Sequence, residues 1–152
     1  MPYAPDLANA GPLREVGFLW SGHSYTRGKV ENSVLERLVA IAEKPLGRYL
    51  GFHACNLSFC FAIHRVLGGL TFRYRGRTLV LGNSDIFIPD DEAVYWAPNL
   101  ILHYIRHHRY QPPECFCAAV LRCPPPDSPE YRERITRIAP ELRGAFEDSE
   151  CH

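Results

Sequence analysis

The sequence predicts an α+β domain in which a small antiparallel sheet, a hairpin plus neighbouring strands, packs against three to four helices. Three observations predict it. Val34, Leu35, Leu38, Val39, Ile41 and Ala42 recur at helical spacing and mark one buried face. Leu70, Phe72 and Tyr74 alternate with Thr71, Arg73 and Arg75, and a second run, Arg77 to Leu81, follows Gly76, which is the pattern of a hairpin. In the second half of the chain Pro98, Pro112-Pro113, Pro124-Pro125-Pro126 and Pro129 stand where helices start and stop.

In chain order, residues 1–12 are rich in Pro, Ala and Gly, lack periodicity and read as a flexible arm. Glu15 to Trp20 is a short apolar strand, turned by Ser21-Gly22-His23-Ser24. Ser33 followed by Glu36 fits a capping box at the head of the first helix, which Lys44-Pro45 closes. Arg48 to Phe52 reads as a strand, then come the hairpin and a further strand from Asp85 to Ile88 that stops at Pro89. Ala97-Pro98 opens a second helix running to about Tyr110, because proline suits a first helical position whose N–H would be unpaired anyway. A third helix spans Glu114 to Leu121, and a last one, capped by Ser128 with Pro129 behind it, runs to Ile138. One domain is expected over residues 13–139, with a mobile tail at 140–152.

With 152 residues, 46% of them hydrophobic, the chain can bury a core without disulfide staples. Seventeen basic residues balance seventeen acidic ones, so no global field draws it to nucleic acid or to an anionic membrane. A protein partner is the expectation. The opening MPYAPDLANAGP carries no export pattern, and no apolar run approaches the roughly 18 residues of a spanning helix, so a cytoplasmic address is expected. There the six cysteines read as reduced thiols, which turns attention from bridges to metal or catalysis.

His103 and His107 stand four apart on the second helix, so their imidazoles project from one face a turn apart. Cys55 and Cys60 have four residues between them, within the range of paired zinc thiolates. The four can furnish the sulfur and nitrogen tetrahedron that zinc prefers, with His53 as an alternative ligand. On a wheel of about 100° per residue, His108 falls near the middle of the apolar stripe of Leu100, Ile101, Tyr104 and Ile105 and reads as a core histidine. Cys115 and Cys117 point to different faces of their helix and read as packing thiols. A thiol nucleophile, Cys55 with His53 or His103 as base and Asp85 to orient it, is the catalytic alternative and has no local motif behind it. Arg73, Arg75 and Arg77 beside Phe72 and Tyr74 have the makings of a nucleic-acid platform, but three arginines are also ordinary on a solvated strand.

Longer phrases carry a resemblance. They are Gly17-Phe18-Leu19-Trp20, then His23-Ser24-Tyr25-Thr26-Arg27-Gly28, then Gly51-Phe52-His53-Ala54-Cys55. The last is Tyr95-Trp96-Ala97-Pro98-Asn99-Leu100-Ile101-Leu102-His103-Tyr104, continued by Tyr110, Pro112-Pro113 and Phe116. Over roughly residues 16–121 the chain resembles an uncharacterised family of bacterial proteins with a Gly-x-His-x-Cys-x-x-Cys segment and an Ala-Pro-x-Leu-Ile-x-His-Tyr helix motif. In that pattern the second cysteine position corresponds to Ser58, with Cys60 two residues on. Judged from Tyr110, the pattern's second helix histidine aligns with His108 rather than His107. The resemblance implies a cysteine and histidine metal site and names no activity. The functional expectation is therefore a non-enzymatic interaction or regulatory domain, stabilised by a Cys/His zinc site. The alternative is a metal-dependent or thiol hydrolase using His53, Cys55 and His103.

Overall fold

The computed structural model describes residues 3–47, 53–57, 60 and 70–150, and its class is α+β as the patterning predicts. In place of one antiparallel sheet there are two. Strands β1 (Ala8–Ala10), β2 (Leu13–Glu15), β5 (Asp85–Pro89) and β6 (Val94–Pro98) form a sheet in the order β1-β2-β6-β5. Its β2–β6 pair is parallel, with Leu13 opposite Val94 and Glu15 opposite Trp96. Strands β3 (Leu70–Tyr74) and β4 (Arg77–Leu81) make the expected hairpin, with Tyr74 opposite Arg77. Arg75 and Gly76 at its tip have φ of 46° and 81°, and two positive values in succession match the right-handed twist of the strands.

The helices are α1 (Asn32–Ala42), α2 (Ile101–His107), α3 (Glu114–Arg122), α4 (Pro129–Ile138) and α5 (Arg143–Glu150), with a 3-10 turn at Pro140–Leu142. The periodicity of α1 has its predicted consequence: Val34, Leu38, Val39, Ile41 and Ala42 are buried. They join Ile86, Ile88, Ile101, Leu102, Phe116 and Val120 in one core. In α4 the predicted cap forms, the Ser128 hydroxyl accepting from the Tyr131 N–H at 3.2 Å.

Five expectations are corrected. The capping box does not form, because α1 starts two residues earlier: Glu31 is the N-cap and makes no side-chain cap bond. Ser33 then lies inside the helix, and Glu36 pairs with Arg75 at 3.3 Å. Ala97 and Pro98 end β6 instead of opening α2, and Pro98 sits opposite Asp85 as the last pair of the ladder. The apolar run from Glu15 leaves the sheet after Val16, whose N–H still reaches the Trp96 carbonyl at 2.9 Å. Gly17 follows with φ 78° and donates to the Asp6 carboxylate at 3.0 Å. The stretch read as a flexible arm contains β1 and is pinned by Asp6, which accepts the Tyr110 hydroxyl at 2.8 Å. The stretch read as a mobile tail contains α5, whose Phe146 is buried edge-on against Tyr131. The strand expected at 48–52 lies outside the described residues. Among the described residues no helix is long and apolar enough to cross a membrane.

Candidate metal centre

Two segments meet at the site, and each is fixed by backbone contacts that few residue types permit. The first carries the thiols. His53 N–H donates to the Gly82 carbonyl at 2.7 Å, and Gly82 has φ 89°. A Cβ at residue 82 would fall on the His53 carbonyl oxygen, so only glycine lets β4 and this segment come so close. Gly82 is itself held by Asn99, which is 2% exposed: its Oδ1 accepts the Gly82 N–H at 2.7 Å and its Nδ2 donates to Ser84 Oγ at 2.9 Å. Farther along, the Asn56 side-chain oxygen accepts the Ser21 N–H at 3.1 Å, and Leu57 is buried. The loop is thereby stitched on both sides of Cys55.

The second segment is α2 and its exit. His103 is 4% exposed, one turn into the helix. After His107 the helix stops: His108 has φ −117° and Arg109 φ 54°. Residues 25–28 clamp this exit. The Tyr25 hydroxyl donates to the His108 carbonyl at 3.1 Å, Gly28 N–H to the Arg109 carbonyl at 3.0 Å, and Gln111 N–H to the Thr26 carbonyl at 2.9 Å.

Between the segments, Cys55 Sγ, Cys60 Sγ and one nitrogen each of His103 and His108 all lie within 4.8 Å of one another. His108 Nε2 is 3.4 Å from Cys55 Sγ, 3.2 Å from Cys60 Sγ and 3.1 Å from His103 Nε2. An imidazole Nε2 carries one hydrogen or one lone pair, so it serves one of these three neighbours well and not all of them. Zinc bonds of about 2.0–2.3 Å imply ligand-to-ligand edges of about 3.3–3.8 Å across a tetrahedron. The three distances to His108 Nε2 lie at or just below the short end of that range, close enough for one small cation to sit among the four atoms. Cys55 has no exposed surface, and burial pushes its thiol up to about 12. Tyr104, buried behind the cluster, is likewise pushed up by burial.

Of the residues singled out by sequence, Cys55, Cys60 and His103 come together here. The fourth member is His108, the alternative, and not His107. His107 is exposed, its ring tilted 39° against His103 at 5.0 Å. His53 and Asp85 are not in the group. They line a small cleft with Ser84 and Asn99, and Asp85 accepts the Trp96 indole N–H at 2.6 Å. Burial pushes Asp85 up to about 6 and lowers His53. Ser58 lies outside the described residues. Of the three hairpin arginines, Arg75 and Arg77 are neutralised by Glu36 and Glu43. Sequence reasoning passed over the supporting residues Gly82 and Asn99. In the sequence Gly82 is one glycine between the hairpin and the strand from Asp85, and Asn99 is the variable position of the Ala-Pro-x-Leu-Ile phrase.

The model of a family described as a domain of unknown function (DUF7919) matches residues 1–121. The chain belongs to this family. All four residues of the cluster, and the Tyr25, Gly28, Gly82 and Asn99 that position them, lie inside the DUF7919 match, whereas α4 and α5 lie beyond it. Comparison with curated proteins and with solved structures returns no match.

Proposed function

We propose that the chain is a non-enzymatic interaction or regulatory domain whose DUF7919 portion is stabilised by zinc bound to Cys55, Cys60, His103 and His108. The observation that carries this reading is His108 Nε2, crowded by two thiols and an imidazole at 3.1–3.4 Å. A cation at the centre turns contacts that hydrogen bonding cannot satisfy into the edges of a sphere of two sulfur and two nitrogen ligands, a set zinc favours over harder cations. Four protein ligands close such a sphere, which is the structural type of site; a catalytic zinc keeps a position open for water or substrate. The hydrolase reading is disfavoured by the same geometry and by Cys55, a thiol with no access to solvent and a raised pKa, the reverse of an activated nucleophile. The five described cysteines are free thiols, the state a cytoplasmic setting maintains.

Elemental analysis of the purified protein, paired with thermal melts with and without chelator, tests this. The expected result is one zinc per chain and a chelator-induced loss of about 10 °C or more in melting temperature. Cys60→Ser and His108→Ala should each abolish stoichiometric zinc, while His107→Ala retains it and stays within about 0.5 kcal/mol of the parent, as exposed substitutions do. Zinc retained by His108→Ala but lost from His107→Ala would refute the assignment. Because the ligating forms are thiolate and neutral imidazole, zinc affinity should fall as the pH drops.

A further inference from the structure

On the other side of the α2 exit the chain builds a second, differently composed site. An open cleft of about 330 Å³ is lined by the partly buried Val30, Leu35 and Ile105 together with Lys29, Arg106 and Arg109. Among the described residues, several of the twelve other basic side chains, among them Lys44, Arg75, Arg77, Arg122, Arg134 and Arg137, are matched to carboxylates. The three at the cleft make no ion pair there, and Glu36, next to Leu35 in sequence, is taken by Arg75 at 3.3 Å. In a chain of zero net charge, three like charges on one concavity are a local positive field with nothing global to mask it.

Two details separate this group from a scatter of surface cations. Arg106 is held in place, its guanidinium 4.0 Å over the Phe72 ring and bonded to the Arg73 carbonyl, which leaves further N–H donors to present. Arg109 occupies the left-handed region at φ 54°, where glycine is the default after a helix. This turn out of α2 puts Arg109 on the lining of the cleft. The negative end of the α2 dipole, about half a charge, accounts for part of the basic residues near it, but not for three full charges.

We propose that this cleft binds a small amphipathic anion, a phosphate monoester carried on a short apolar body. The head would be taken by Arg106 and Arg109, whose planar forks suit phosphate oxygens, with Lys29 as a further charge. Val30, Leu35 and Ile105 would cover the body, and the volume lies in the range of small-ligand sites.

Calorimetric titration of the purified chain with hexyl phosphate, inorganic phosphate and hexanol tests the proposal. Hexyl phosphate should bind saturably and at least tenfold more tightly than either fragment, with affinity falling as salt is raised. Arg109→Gly should weaken that binding at least tenfold while leaving the melting temperature equal or higher, since it relieves the positive φ. Lys29→Gln should weaken it to a smaller extent, and Arg37→Gln, on another face, should not change it. The proposal is overturned if hexyl phosphate fails to saturate in the millimolar range, if hexanol binds as well, or if Arg109→Gly binds like the parent.

Discussion

Asp85 is a carboxyl group kept 7% exposed against the Trp96 indole, and burial raises it from 3.8 to about 6. Its folded state therefore holds a proton that the unfolded chain has already released between those two values. The resulting stability is complete below about pH 4 and is lost as the pH rises through 6, amounting to about 2–3 kcal/mol from a shift of this size. Asp85→Asn keeps an acceptor for the indole and has no proton to lose. Denaturant melts from pH 4.5 to 8 should show the parent losing stability relative to the variant across that window; parallel curves would mean that Asp85 ionises as freely in the fold as out of it. Single residues also decide what a sequence conceals. His107 is the natural partner of His103 on a straight helix, since four residues return to the same face. The helix ends at His107, however, and a left-handed Arg109 makes His108 the residue that meets the thiols. A helical wheel carries no information past the last helical residue. The match of Tyr110 to a longer pattern did point to His108, because that spacing is counted along the chain and does not assume a helix.

Elements with a local signature were legible, and those built by distant pairing were not. The β3–β4 hairpin follows from alternation and one glycine, and α1 from its apolar stripe. Nothing local marks Leu13–Glu15 as the parallel neighbour of Val94–Trp96, and with three residues β2 has no period to read. Pro98 misled because proline suits the end of a strand as well as the head of a helix. The joint between elements is where the site is most fragile. Gly82 connects the hairpin to the thiol segment in a backbone conformation that a Cβ forbids on two grounds, its φ of 89° and the His53 carbonyl. Gly82→Ala should cost about 3 kcal/mol, and the purified variant should carry less zinc than one per chain. Full zinc at unchanged stability would show that the segment is placed by something other than this contact.

At the scale of the whole molecule, the match to residues 1–121 and the core do not share a boundary. Tyr131, Ile135, Ala139 and Phe146 are buried, and the Tyr131 hydroxyl donates to the Phe87 carbonyl of β5 at 2.6 Å. The C-terminal helices thus complete the sheet's cover. A chain ending at residue 127 should lose about 5 kcal/mol from these side chains alone and gain binding of an apolar dye. An unshifted melting temperature would mark α4 and α5 as an appendage.

The parallel β2–β6 pair has a temporal consequence. A ribosome adding about 5–20 residues per second takes several seconds to travel from Glu15 to Pro98. For that interval the nascent hairpin of β1 and β2 presents an open ladder to any other emerging chain on the same polysome. Protection by a ribosome-bound chaperone or a pause in elongation would matter most before residue 98 clears the exit tunnel.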